Sequence, residues 1–224
     1  MILYILTLVS PSIVHVGPSN IVSAQTYNKT LLTCNAEGNP PPKYKWLQKF
    51  PTHDVLIRGY NQQLFIENVT YEHQGEYVCE AINEINGETR SVQSDPITLE
   101  VSGAPQVLRL GVPTEIIIED GQDAILESRF CANPLPEQLW HLGASGDNII
   151  LAAGTVHGKF VAEIVRKIPY KEDCYVSRLT IKGASPSDSF VYELRLSNAH
   201  GTVSYKIDLK VRGTYIIEKY STFP

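Results

Sequence analysis

The sequence predicts an all-β chain of two β-sandwich domains in series. Three observations predict it. First, 224 residues suffice for two sandwiches of about 100 residues each. Second, short stretches of alternating apolar residues recur between turn signals, as in Ile97-x-Leu99-x-Val101 and Tyr205-x-Ile207-x-Leu209-x-Val211. That period of two is the mark of half-buried strands. Third, one pattern occurs twice: Asn39-Pro40-Pro41-Pro42 stands before Trp46, and Asn133-Pro134-Leu135-Pro136 before Trp140.

The first half carries the most specific residues. It reads Cys34, Trp46, Leu64-x-Ile66, then Gly75-x-Tyr77-x-Cys79. Trp46 follows Cys34 by twelve residues, and Tyr77 precedes Cys79 by two. This stretch resembles an intermediate-set immunoglobulin domain of a cell-surface protein. The resemblance implies a Cys34–Cys79 disulfide clamping two sheets, Trp46 packed on it, and Tyr77 as the corner tyrosine. The resemblance covers about residues 11–211, and the tandem arrangement is similar to adhesion receptors of the nephrin and echinoid kind.

Bulk composition narrows the function. Lys plus Arg total 19 and Asp plus Glu total 24, for a net charge of −5. There is no basic run, so nucleic acid is not an expected partner. No apolar run reaches a membrane-spanning length, so no span is expected within the chain. The four cysteines divide two and two between the halves. They allow three connectivities, of which two local bridges are the simplest. Each would close a loop of roughly 45 residues and contribute about 4 kcal/mol in the chain-entropy model. Such pairing belongs to an oxidising compartment, and the chain is expected outside the cell, as part of a longer membrane-anchored protein.

Residues 1–10 read as a linker or first strand in preference to a signal peptide. The apolar stretch is short and has no Lys or Arg before it. Cleavage after Val22-Ser23-Ala24 would also remove Ile13 and Val14, which the first edge strand needs. The first domain spans 11–102. Asn28-Lys29-Thr30 and Asn68-Val69-Thr70 are N-glycosylation acceptors. Tyr44-Lys45-Trp46-Leu47 is a central strand. Eighteen residues from Trp46 to Leu64 leave little room for extra edge strands. Family members carry Asp four residues before the corner tyrosine. Here that residue is His73, read as an exposed loop histidine. Ser102-Gly103-Ala104-Pro105 is the linker.

The second domain spans 105–212 and departs from the pattern. Counting twelve back from Trp140 gives Ser128, and two past Tyr192 gives Leu194, so both ends of the usual bridge are missing together. Strand parity offers another partner for each cysteine. Placing Cys131 opposite Cys174 in an antiparallel pair also places Ser128 opposite Ser177 and Leu126 opposite Leu179. Inner residues then meet inner residues. A Cys131–Cys174 bridge is therefore expected within one sheet, on its outer face or at its end, with the core resting on Trp140, Leu126, Leu194 and Ile181. The long stretch from Trp140 to Leu179 holds added strands at residues 148–151 and 160–165, with a turn at 154–158. Asp188 keeps the corner acid, and Phe190 replaces the usual Gly. Residues 213–224 form a tail without a clear element.

No catalytic or metal chemistry is expected. No two of the six histidines are three to five residues apart, and there is no Gly-rich phosphate loop or Gly-x-Ser-x-Gly elbow. Lys171-Glu172-Asp173 reads as a solvated turn. No cofactor, metal or enzymatic activity is assigned. The candidate binding surface is the outer face of the first domain. Trp46 and Cys79 point inward, so Lys45 and Leu47, with Val78, Glu80 and Ile82, point outward. Leu47, Val78 and Ile82 would form an apolar patch rimmed by charge. The predicted function is cell-surface recognition or adhesion by homophilic or heterophilic protein contacts. The rivals are a ligand-binding ectodomain of an immune or growth-factor receptor, a secreted binder, and an intracellular module of giant muscle proteins.

Overall fold

The computed structural model describes residues 7–108, 113–143 and 149–213. They form strands joined by turns and two single 3-10 turns, in two compact units, Met1–Gly103 and Ala104–Pro224. Most of the leading segment, residues 1–6, and the tail, 214–224, lie outside the described residues, as does Asn148.

The described residues of the first unit form a sandwich of nine strands. They are β1 (Val9–Gly17), β2 (Ile21–Gln25), β3 (Thr30–Asn39), β4 (Lys43–Lys49), β5 (Val55–Gly59), β6 (Gln63–Ile66), β7 (Gly75–Ile85), β8 (Glu88–Gln93) and β9 (Ile97–Val107). One sheet runs β1-β3-β6. In the other, β5 pairs β4, β4 pairs β7, and β7 carries β8 and β9, with β2 parallel to β9. Ser102 to Pro105, expected as linker, lie inside β9. The β7–β8 hairpin turns at Asn86 and Gly87, both with positive φ (53° and 82°), as a two-residue hairpin of this hand requires.

Cys34 on β3 and Cys79 on β7 are joined across the two sheets. Trp46 stands beside Cys79 in the β4–β7 ladder and is fully buried. Leu32, Leu64, Ile66, Tyr77, Leu99 and Val101 fill the space around them. Each is one member of an alternating set, so the strand pattern and the core are the same fact.

The described residues of the second unit form ten strands: β10 (Glu115–Glu119), β11 (Ala124–Asn133), β12 (Glu137–Leu142), β13 (Ile149–Ala152), β14 (Val156–His157), β15 (Phe160–Ala162), β16 (Arg166–Lys167), β17 (Cys174–Ile181), β18 (Val191–Asn198) and β19 (Gly201–Arg212). One sheet runs β10-β19-β18-β12-β13. The other contains β14-β15-β17-β11, with β16 on β17. The added strands thus exist as β13 and β15, the latter shorter than expected. The stretch read as one turn, 154–158, includes the two-residue strand β14.

The β11–β17 register places Cys131 opposite Cys174, Ser128 opposite Ser177 and Leu126 opposite Leu179. The two cysteines are bonded, with Cα atoms 4.0 Å apart. The bridge closes the end of the ladder but does not face solvent: Cys131 is 2% exposed and Cys174 4%. The chain before β17 pairs beside this end, with the Ile168 N–H donating to the Cys174 carbonyl (2.7 Å) and the Ala132 N–H to the Asp173 carbonyl (2.8 Å).

The centre of this unit holds no sulfur. Trp140 stands opposite Leu194 in the β12–β18 ladder, as Trp46 stands opposite Cys79. Leu126, Leu194 and Ile181 are fully buried with it. The indole N–H of Trp140 donates to the Ser177 hydroxyl at 3.1 Å. Ser177, opposite Ser128 in the β11–β17 ladder, therefore supplies a buried acceptor.

Candidate interaction surface

The outer face of β4 and β7 is the expected contact surface. Its residues meet in rows: Lys45 opposite Glu80, and Leu47 opposite Val78. Glu80 faces Gln93 of β8 in the first row. Leu47 and Val78 are nevertheless buried, at 8% and 2% exposure, and Ile82 is half-buried. The expected apolar patch is therefore not open to solvent. The cover is polar. Lys49 reaches diagonally from β4 to Gln93 on β8, its Nζ 3.1 Å from Oε1, passing over Val78 on the strand between. Gln93 Nε2 donates to Glu80 (3.5 Å), and Glu80 pairs with Lys45 (3.4 Å). Long side chains of this kind lay their methylene stems on apolar neighbours and keep their polar ends in water.

The apolar surface lies one strand further out. Val55, Leu56 and Ile57 of β5 are 54%, 44% and 44% exposed, and Tyr60 just beyond is 67% exposed. β5 is the last strand of its sheet and pairs β4, with Ile57 opposite Leu47 and Val55 opposite Lys49. Val55 and Ile57 thus extend the outer face past the covered row. The expectation of no extra edge strand here is corrected. A five-residue strand fits because Pro51 and the residues to Asp54 turn the chain back at once, with the Phe50 N–H donating to the Asp54 carbonyl. The signal was present as an aliphatic run bounded by turn residues.

His73 has a structural task. It closes the 3-10 turn Tyr71–His73, where its Nδ1 accepts from the Thr70 N–H and meets the Thr70 hydroxyl, both at 3.0 Å. The ring proton therefore sits on Nε2. Asp188 occupies the same place in the second unit, accepting from the Ser185 N–H at 2.7 Å and the Ser185 hydroxyl at 3.0 Å. Each turn holds its corner tyrosine: Tyr77 donates to the His73 carbonyl and Tyr192 to the Asp188 carbonyl. His73 is thus a half-buried cap, not an exposed loop residue.

The two caps respond differently to acid. Burial first, then the Arg58 guanidinium, hold His73 below its ordinary value of 6.5. Burial opposes ionisation of Asp188, but Lys159 at 2.5 Å and the Ser185 donors outweigh it and hold the carboxyl below its ordinary range. As pH falls below 6.5, unfolded chains protonate His73 while the folded cap does not, so stability is lost until the folded value is passed. We predict that the first unit melts at a lower temperature at pH 5 than at pH 7. His73→Asp removes the part of that difference due to the ring, because a carboxylate stays ionised across this window. Thermal unfolding at both pH values checks it.

The acceptor asparagines Asn28 and Asn68 are both exposed and sit side by side. The Val69 N–H donates to the Asn28 carbonyl (3.0 Å) and the Tyr27 N–H to the Val69 carbonyl (2.8 Å). Among the described residues no cluster of three or more His, Cys, Asp or Glu is placed to hold a metal ion. Among them also, no helix is long and apolar enough to cross a membrane.

Residues 10–83 match the family model of an immunoglobulin domain. That match lies within the first unit, which carries an immunoglobulin domain. The chain is 26% identical to rat neural cell adhesion molecule L1 over 82% of its own length, and 27% identical to human vascular cell adhesion protein 1 over 88%. It is also 25% identical to the muscle M-line assembly protein unc-89 of Caenorhabditis elegans over 82%. The chain spans 13%, 23% and 2% of these immunoglobulin relatives respectively. Among solved structures, the complex of Dpr2 Ig1-Ig2 with DIP-Theta Ig1-Ig3 aligns with a TM-score of 0.57 at 24% identity, covering 92% of this chain and 66% of that one. That likeness shows the tandem immunoglobulin fold.

Proposed function

We propose that this chain is a recognition segment of an extracellular adhesion protein. It works by contact of its immunoglobulin units with a protein, either a second copy or another cell-surface protein, and catalyses nothing. The observation that carries the reading is the state of the cysteines: all four are consumed in two bridges, one of them at an unusual place in its unit. Bridges of this kind form and persist in oxidising compartments, while cytosolic thiols are kept reduced. Two of the relatives are named as cell adhesion proteins.

The contact surface we assign is the β5 edge with its polar flank. An exposed edge strand offers unpaired backbone groups as well as side chains to a partner. Burying Val55, Leu56 and Ile57 contributes roughly 1.5–3 kcal/mol per side chain at full burial. Lys45, Glu80, Lys49 and Gln93, already tied to one another, fit the polar rim of such an interface. Leu47 stands beside Ile57 in the same row, with Val78 beyond it.

The match to unc-89 favours a second reading, an intracellular filament module. The closed bridges weigh against it. Beads coated with the chain, collected from the medium of exporting cells, test the function. Aggregation with one another marks homophilic contact, and capture of one cell-surface protein marks heterophilic contact. Beads that do neither contradict the reading.

A further inference from the structure

We propose that Asn68 carries an N-linked glycan whose first N-acetylglucosamine lies against the Phe65 ring and completes the surface of the first unit. The inference rests on the extracellular reading, because this modification is made in the secretory lumen. In the step itself, the Asn68 side-chain nitrogen forms a bond to the anomeric carbon of an oligosaccharide carried on a lipid diphosphate. The bond from that carbon to the diphosphate oxygen breaks, the diphosphate leaves with the electron pair, and the amide nitrogen gives up one proton.

Asn68-Val69-Thr70 has the acceptor pattern. Asn68 is exposed, yet its base is fixed. Val69 is fully buried, and its N–H and carbonyl are bonded to the backbone at Asn28 and Tyr27. A sugar there is held at a defined place. Phe65 lies three residues earlier on β6 and is 51% exposed, opposite the exposed Leu31 of β3. The Lys29 ammonium is 5.9 Å from the ring centroid. That is near the outer limit of a cation–π contact and leaves the ring loosely covered. Phe65 and Asn68 line one shallow depression of about 240 Å³, together with Arg58, Glu67 and His73.

The chemistry of that depression suits a pyranose. One face of such a ring presents C–H groups made electropositive by neighbouring oxygens, and the face of an aromatic ring is electronegative. Arg58 and Glu67 at the border offer a donor and an acceptor for the sugar's hydroxyl and acetamido groups. Asn28 is also exposed but does not border the depression, so it is an internal control.

The test uses the whole chain collected from exporting cells. Peptide mass reads occupancy at Asn68. Hydrogen exchange in β3 and β6 reads the first unit alone. In the parent chain Asn68→Gln is expected to lower that protection about tenfold, and in a Phe65→Ala background by less than about twofold, as coupled neighbours require. Asn28→Gln is expected to act equally in both backgrounds. Trimming the glycan to a single sugar leaves protection unchanged and needs no substitution. An exported chain with bare Asn68 overturns this inference alone, and so does an equal loss with and without Phe65. An exported chain whose Phe65 face is instead covered by a protein partner overturns it too. Retention in the cytosol overturns the extracellular reading and this inference with it.

Discussion

Trp140→Ala is expected to destabilise the second unit by about 4 kcal/mol, enough to consume much of a domain's usual margin of about 5–15 kcal/mol. Trp140 is fully buried between the sheets, and no sulfur bridge stands beside it to hold them together. Its removal leaves a cavity against Leu126, Leu194 and Ile181 and takes the N–H partner from Ser177. The Cys131–Cys174 bridge does not rescue it, since that bridge ties two strands of one sheet. Trp46→Ala leaves a cavity of similar kind, but Cys34–Cys79 still ties both sheets there. Ser177→Ala isolates the hydrogen bond and is expected to cost about 1–3 kcal/mol. Calorimetry of the whole chain checks all three. A Trp140→Ala chain whose second unit melts within a few degrees of the parent contradicts this view of the core.

Val55→Asp together with Ile57→Asp is expected to abolish partner binding while leaving the fold intact. Both side chains lie on the exposed outer face of β5, so charge there costs little in the free chain. In a complex, the carboxylate at position 57, opposite Leu47, would be desolvated without a partner, which costs several kcal/mol and corresponds to a loss of at least a hundredfold. Leu47→Asp makes an instructive contrast. Leu47 is buried, so that change is expected to damage the fold before it damages binding. Binding curves for the bead-bound variants, beside their circular dichroism, check both. Unchanged binding by the β5 variant removes this edge as the contact surface.

Much of the fold was legible in the residues because strand pairing is discrete. A one-residue slip would turn Ser128 and Leu126 outward, so parity supports the register that places Cys131 opposite Cys174. Trp140 and Tyr192 then marked the second sandwich without its usual sulfur pair. What parity does not carry is cover. Leu47 and Val78 do point outward, but Lys49 crosses the strand between to reach Gln93 and shields them. No spacing along the chain reports that diagonal. His73 was illegible for a chemical reason: a neutral imidazole nitrogen accepts a hydrogen bond as a carboxylate does, so a departure from the pattern preserved the cap. The bridge at Cys131 has the expected parity, yet both of its residues are buried.

Everything proposed for this chain assumes that it works outside the cytosol with both sulfur bridges closed. Peptide mapping without reductant, on chain collected from the medium of expressing cells, measures that directly. The expected result is two bridged peptide pairs, Cys34 with Cys79 and Cys131 with Cys174, and no free thiol. Free thiols, a crossed pair between the units, or a chain retained reduced in the cytosol would contradict it.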